Sequence, residues 1–95
     1  MPRFLVERFL SGNPEAKLSV VADLASAAAA AMREEGTPIW YLGSTLVPED
    51  ELCYCLFEGP SAEAVAETNR RAGLTYERIL EALWVQEPIN PATPR

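Results

Sequence analysis

Residues 51–60 read Glu-Leu-Cys-Tyr-Cys-Leu-Phe-Glu-Gly-Pro, and the rest of the chain is arranged around this stretch. Its middle, residues 52–57, is entirely apolar, aromatic or cysteine, and turn-forming residues flank it on both sides. Such a short apolar run is typical of a strand that is buried on both faces. Both cysteines of the chain, Cys53 and Cys55, lie in it and share one face because side chains alternate along a strand. Their α-carbons should lie roughly 7 Å apart, so we expect two buried free thiols and no disulfide.

Composition predicts one globular domain and excludes several classes of partner. The chain has 95 residues, of which 48% are hydrophobic and 23% charged. A net charge of −6 provides no basic face for nucleic acid or for an anionic membrane. No apolar run approaches the roughly 20 residues of a membrane span, and a strand-like segment directly after Met1 argues against a signal peptide. We therefore expect a cytoplasmic protein with reduced thiols.

The remaining elements follow from hydrophobic periodicity and from capping residues. Asn13 before Pro14 predicts a helix start and Gly36 its left-handed end, while Ser61 and Gly73 delimit a second helix. The predicted strands span residues 2–10, 37–47, 51–60 and 76–85, and the predicted helices span residues 14–35 and 61–73. We assign residues 1–86 to one domain and residues 87–95 to a proline-rich tail.

The order strand, helix, strand, strand, helix, strand predicts a ferredoxin-like α+β fold. In this fold a four-stranded antiparallel sheet has its first and third strands in the centre and both helices on one face. The other face is then left bare but apolar; by parity it carries Leu5, Phe9, Cys53, Cys55 and Phe57, with Tyr41 and Trp84 as further candidates. A bare apolar patch of this size is unusual on a soluble monomer, so we expect a homodimer packed through the open sheet faces.

The candidate ligand-binding residues are Glu7, Cys55, Glu58 and Tyr41. Glu7 interrupts an apolar strand, and beside Cys55 its carboxylate could act as a base or hold a ligand. The alternative is a salt bridge from Glu7 to Arg3, Arg8 or Arg78. Glu58 and Tyr41 have equally ordinary alternatives as strand-end hydrogen-bond acceptor and core residue. The chain lacks histidine, which excludes a Ser-His-Asp triad, and it contains no glycine-rich phosphate loop.

Three motifs resemble those of a small family of unknown function that includes a nickel-binding protein. They are Pro-Arg-Phe-Leu-Val-Glu-Arg at residues 2–8, Cys-Leu-Phe-Glu-Gly-Pro at 55–60 and Arg-Arg-Ala-Gly-Leu at 70–74, followed by Arg78-Ile79. The resemblance covers about residues 2–82 and implies a ferredoxin-like fold, a dimer and, for at least one member, nickel binding. Family members commonly carry a histidine in the second strand, where this chain has Gly43.

Without imidazole, a nickel site would depend on thiolate and carboxylate ligands. We assign Cys55 and Glu7 to such a site, with Cys53 and Glu58 as further candidates. We expect no resident cofactor, and a divalent ion such as nickel is the alternative. The sequence thus favours a dimeric, non-enzymatic protein that binds a small ligand or a metal ion. The alternatives are a cofactor-independent small enzyme of the dimeric ferredoxin-like type and a pure assembly module.

Overall fold

A computed structural model describes residues 1–88 and confirms the predicted order of elements. The strands are β1 (Arg3–Phe9), β2 (Trp40–Val47), β3 (Leu52–Glu58) and β4 (Arg78–Ala82), and the helices are α1 (Pro14–Glu34) and α2 (Ala62–Ala72). A short 3-10 helix, Pro48–Asp50, connects β2 to β3. The predicted tail lies mostly outside the described residues, so the domain boundary at residue 86 stays a prediction. Neither described helix is long and apolar enough to cross a membrane.

The sheet has the strand order β2-β3-β1-β4 and is antiparallel throughout, so β1 and β3 are central as predicted. In the register between the central strands, Val6 lies opposite Cys55 and Glu7 lies opposite Tyr54. Strand β2 pairs with β3 through a bulge between Tyr41 and Gly43. The fold is therefore the ferredoxin-like α+β arrangement that the element order indicates.

The helix ends agree with the predicted positions, although one capping mechanism differs. Ser61 caps α2 by accepting a hydrogen bond from the Ala64 backbone at 3.2 Å, and Gly73 ends it with a left-handed φ of 71°. Asn13 precedes α1 as expected, but its own φ is 55° and its side chain makes no capping hydrogen bond. The first turn of α1 thus relies on Pro14, whose fixed φ suits that position.

The helices cover the face of β3 that is predicted from parity to be the open one. Cys53, Cys55 and Phe57 are 0% exposed and belong to the core between sheet and helices. The prediction that they lie on the open face is therefore wrong. Alternation shows which residues share a face but not which face is covered, and both faces of β3 are apolar enough to be buried.

The open face carries the other set of residues from each central strand. Leu5 and Phe9 of β1 lie there, as predicted, and Leu56 of β3 lies opposite Leu5. Tyr41 instead belongs with the core, where its ring centroid is 5.5 Å from that of Phe57. Trp84 lies beyond the end of β4 and is 63% exposed.

Candidate metal centre

The two cysteine sulfurs lie together on the covered face of the central strand β3. Both thiols are free and fully buried, and their Sγ atoms are 3.9 Å apart. Two thiolates on one tetrahedral zinc ion would lie about 3.8 Å apart, given a zinc–sulfur bond of about 2.3 Å. Cys53 and Cys55 therefore already have the separation at which a single metal ion could contact both.

Two hydroxyl groups extend this sulfur pair towards the edge of the sheet. The Ser44 hydroxyl donates a hydrogen bond to the Cys55 Sγ at 2.9 Å, and the Tyr41 hydroxyl lies 2.6 Å from the Ser44 Oγ. Because the Ser44 hydroxyl donates its one proton to the Cys55 sulfur, the Tyr41 hydroxyl is the donor to the Ser44 Oγ. The structure thus brings together the predicted residues Tyr41 and Cys55 through Ser44, which the sequence analysis missed. Counting the register outward from the turn would have placed Ser44 opposite Cys55.

A buried arginine adds a positive charge beside the sulfur pair. Arg8 is 2% exposed and is the cross-strand partner of Cys53. Its Nη2 donates to the Asn69 Oδ1 at 2.6 Å and its Nη1 donates to the Thr75 carbonyl at 2.9 Å. Its Nε is buried and has no hydrogen-bond partner among residues 1–88. The guanidinium is therefore held by neutral acceptors alone.

The orientation of Asn69 explains why it can hold this guanidinium. Its Nδ2 donates to the Val65 carbonyl at 2.8 Å, one turn earlier in α2. The amide is thereby fixed with its oxygen towards Arg8. The sequence suggests Arg8 only as a partner for Glu7, and both faces of its strand are mainly apolar, so alternation does not mark Arg8 as the buried charge of the core.

The surroundings act on the two acidic groups of the cluster in opposing directions. The pKa of the Cys53 thiol is raised to about 11, mainly by burial and then by the neighbouring Cys55, against the lowering effects of the Arg8 charge and the Ser44 hydroxyl. Burial likewise raises the pKa of the Tyr41 hydroxyl, against the lowering effect of its hydrogen bond to Ser44. Without a metal ion Cys53 is therefore a neutral thiol at neutral pH and a poor nucleophile.

Glu7 lies on the opposite face of the sheet from Cys55. Its carboxylate pairs with Arg78, with the Arg78 Nε 3.2 Å from the Glu7 Oε1, and its side chain is 14% exposed. The tyrosine opposite it, Tyr54, has a pKa raised by burial and then by the Glu7 charge. The sheet separates Glu7 from Cys55, so the expectation that they lie side by side in one chain is wrong. Of the three salt-bridge alternatives, Arg78 is the partner found.

Glu58 is also separated from the sulfur pair. It is the last residue of β3, and by alternation its side chain lies on the open face. The Met1 amino group is 4.0 Å from its Oε1. Within residues 1–88 no three His, Cys, Asp or Glu side chains are grouped at metal-binding distance. The four predicted ligand-binding residues thus divide into Tyr41 with Cys55 on the covered face, and Glu7 and Glu58 on the other.

Comparison with known proteins agrees with this fold. Residues 4–82 match the model of the family described as "Nickel responsive protein SCO4226-like". The crystal structure of SCO4226 from Streptomyces coelicolor A3(2) is similar, with a TM-score of 0.61 and 24% sequence identity over 88% of this chain and 99% of that chain. At this identity the likeness shows a shared fold. No curated protein sequence gives a significant match. The chain belongs to the nickel responsive SCO4226-like family, which confirms the resemblance found in its motifs.

Proposed function

We propose that this member of the nickel responsive family binds a metal ion between the thiolates of Cys53 and Cys55. The observation that supports the proposal most strongly is the 3.9 Å separation of the two buried sulfurs on one face of a central strand. Thiolate is the soft ligand that zinc, nickel and copper accept, and this chain has no imidazole to compete with it. The family's description as nickel responsive is consistent with a role that involves metal ions.

The surroundings of the pair favour metal binding over nucleophilic chemistry. Both sulfurs are fully buried, and the raised pKa of Cys53 keeps it protonated without a metal. A metal ion displaces the thiol protons on binding. The negative charge of the thiolates is then stabilised by Arg8 on one side and by the Ser44 hydroxyl on the other. The same groups that contribute little to a neutral thiol pair stabilise a metal-bound one.

Anaerobic titration of the reduced full chain with Ni²⁺, with Zn²⁺ and with Cu(I) tests the proposal. We expect one ion per chain, sulfur-to-nickel charge-transfer absorption, and loss of both in Cys53→Ser and Cys55→Ser. The matched control is Glu7→Gln, which removes the carboxylate on the other face of the sheet and should leave binding unchanged. Binding that survives in Cys55→Ser but disappears in Glu7→Gln would overturn the assignment, and so would the absence of any ion from the wild-type chain.

We also propose that the chain forms a homodimer through its open sheet face. The face has an apolar row in which Leu56, Leu5 and Leu80 lie side by side across three strands. Next to it is a row of polar groups, in which Glu7 pairs with Arg78, and then the exposed Phe9. A face with these stripes can pack on a copy of itself about a two-fold axis, which would cover its apolar rows.

The mass of the protein in solution tests the dimer. Phe9 and Val20 are each 55% exposed, but Phe9 lies on the open sheet face and Val20 on α1. Light scattering should show a dimer for the wild type and for Val20→Glu, and a monomer for Phe9→Glu. A wild-type monomer, or a Phe9→Glu dimer of undiminished stability, would contradict the sheet-to-sheet interface.

The two alternative functions have less support in the geometry. A cofactor-independent enzyme would need a roomy pocket lined by Glu7, but Glu7 is paired with Arg78 on the open face, and residues between sheet and helices such as Val6 and Val65 are fully buried. A pure assembly module would appear as a dimer that binds no ion, so the two experiments together separate it from the metal-binding protein.

A further inference from the structure

The charge on Arg8 distinguishes between the metal ions that the cysteine pair could hold. Two thiolates carry two negative charges, and Arg8 adds one positive charge in the same buried layer. Its partners, Asn69 and the Thr75 carbonyl, are neutral, and its Nε is left without a partner among residues 1–88. A monovalent ion therefore brings the group to neutrality, whereas a divalent ion leaves a net positive charge in a region without water contact.

Uncompensated charge is costly at such a depth. Cys53 and Cys55 are fully buried, and Arg8 is 2% exposed, so solvent screens their interactions little. An unbalanced buried charge carries a desolvation penalty that packing does not repay. The charge of the metal ion itself must then balance the net charge of the two thiolates and Arg8.

The number of donors leads to the same ion. The chain has two cysteines and no histidine, so a mononuclear site in one chain has two thiolate donors and no nitrogen donor from imidazole. Hydrogen bonds link Cys55 to the Ser44 hydroxyl and the Ser44 hydroxyl to that of Tyr41, and both hydroxyls are neutral. Zinc in proteins takes four ligands, whereas Cu(I) is selected by soft sulfur donors. Cu(I) also forms stable sites with a coordination number of only two or three.

We infer that the Cys53–Cys55 pair, with Arg8 beside it, is a site for a monovalent thiophilic ion, Cu(I), in preference to a divalent ion. The inference rests on the proposed function, because it names the ion for the same two sulfurs. Binding displaces two thiol protons and involves no change in the oxidation state of either partner. The product is a neutral group made of one Cu(I), two thiolates and one guanidinium.

Substitution of Arg8 tests the inference, since thiolates favour Cu(I) even without a nearby charge. Arg8→Met removes the charge and keeps the apolar length of the side chain, whereas Arg8→Lys keeps the charge and loses the planar donors. By Coulomb's law, a unit charge at about 6 Å in an effective dielectric constant of about 20 changes an ion's affinity by about 100-fold for each unit of the ion's own charge. We therefore expect Arg8→Met to lower the ratio of Cu(I) to Zn²⁺ affinity by about 100-fold, and Arg8→Lys to change it by less than about tenfold.

The ratio is measured on the full chain under anaerobic conditions, with a Cu(I) chelator and a Zn²⁺ chelator as competitors. Circular dichroism of each variant confirms that it is folded; if Arg8→Met is not, Asn69→Asp replaces it, because a carboxylate there neutralises Arg8 without removing it and should shift the ratio in the same direction. A ratio unchanged in the charge-neutralised variant overturns the inference and leaves the proposed function standing. Cu(I) binding that persists in Cys53→Ser and Cys55→Ser overturns both.

Discussion

Replacing Asn69 with alanine should expose how much stability depends on holding the buried Arg8. The Asn69 side chain is 1% exposed, accepts a hydrogen bond from the Arg8 Nη2 at 2.6 Å and donates one to the Val65 carbonyl at 2.8 Å. A hydrogen bond to a charged group contributes about 1.5–3 kcal/mol and a neutral one about 1 kcal/mol. The alanine variant should therefore lose about 3 kcal/mol, because a buried guanidinium is left with one acceptor.

The free energy of unfolding, measured in urea by circular dichroism, gives this loss directly. For a domain of this size, about 3 kcal/mol should lower the melting temperature by roughly 12–24 °C. The control is Asn69→Asp, which keeps an acceptor for Arg8 and adds a counter-charge, and which should lose less than alanine at pH 7. A loss below about 0.5 kcal/mol in the alanine variant, or a greater loss in the aspartate variant, would refute the view that Arg8 lacks charge compensation.

Three further predictions concern thiol reactivity, acid stability and a helix end. Because burial raises the pKa of Cys53 to about 11, its alkylation at pH 8, followed by peptide mass spectrometry, should be about 100-fold slower in the native chain than in the unfolded one; equal rates would contradict this. The pKa of Glu67 is lowered to about 2 by Arg70 and Arg71, so its contribution to stability is complete above its ordinary pKa of 4.5 and is lost as the pH falls towards 2. Urea unfolding from pH 6 to 2 should show a steeper decline in the wild type than in Arg71→Met, and parallel curves would count against it. Gly73→Ala should lose about 1 kcal/mol of stability, because a left-handed φ of 71° is strained for alanine. The added Cβ meets nothing within 4 Å, so no clash adds to this loss, and a more stable variant would show that the helix end relaxes.

Much of the fold could be predicted because it depends on local rules. Turn residues at 48–50, the cap at Ser61 and the glycine at position 73 delimit elements by backbone preferences that act within a few residues. β4 is shorter than predicted, Arg78–Ala82 instead of residues 76–85, and its last residue, Ala82, lies opposite Arg3, where β1 begins. The end of β4 is thus set by its pairing with β1 and cannot be read from the sequence of β4 alone.

The candidate site was predicted only in part, for a different physical reason. The sequence singled out Cys55 and Tyr41, which the hairpin register brings together through Ser44. It also singled out Glu7, because a carboxylate in an apolar strand is conspicuous, while Arg8 next to it became the buried charge of the core. Which of two adjacent charges is buried depends on where α2 places an acceptor such as Asn69, at a distance of 61 residues along the chain.

By itself the sequence determined the ferredoxin-like order of elements, the central position of the strand at residues 51–60 and the fact that Cys53 and Cys55 share one face. Only the tertiary structure decided that this face is the one beneath the helices, opposite to Glu7. A period of two residues is indifferent to which side is covered, and β3 offers apolar residues on both. The choice is made by packing, where the small alanines of α1 and the Asn69 of α2 meet the sheet, and it turned a predicted site of one thiol and one carboxylate into a buried pair of thiols beside an arginine.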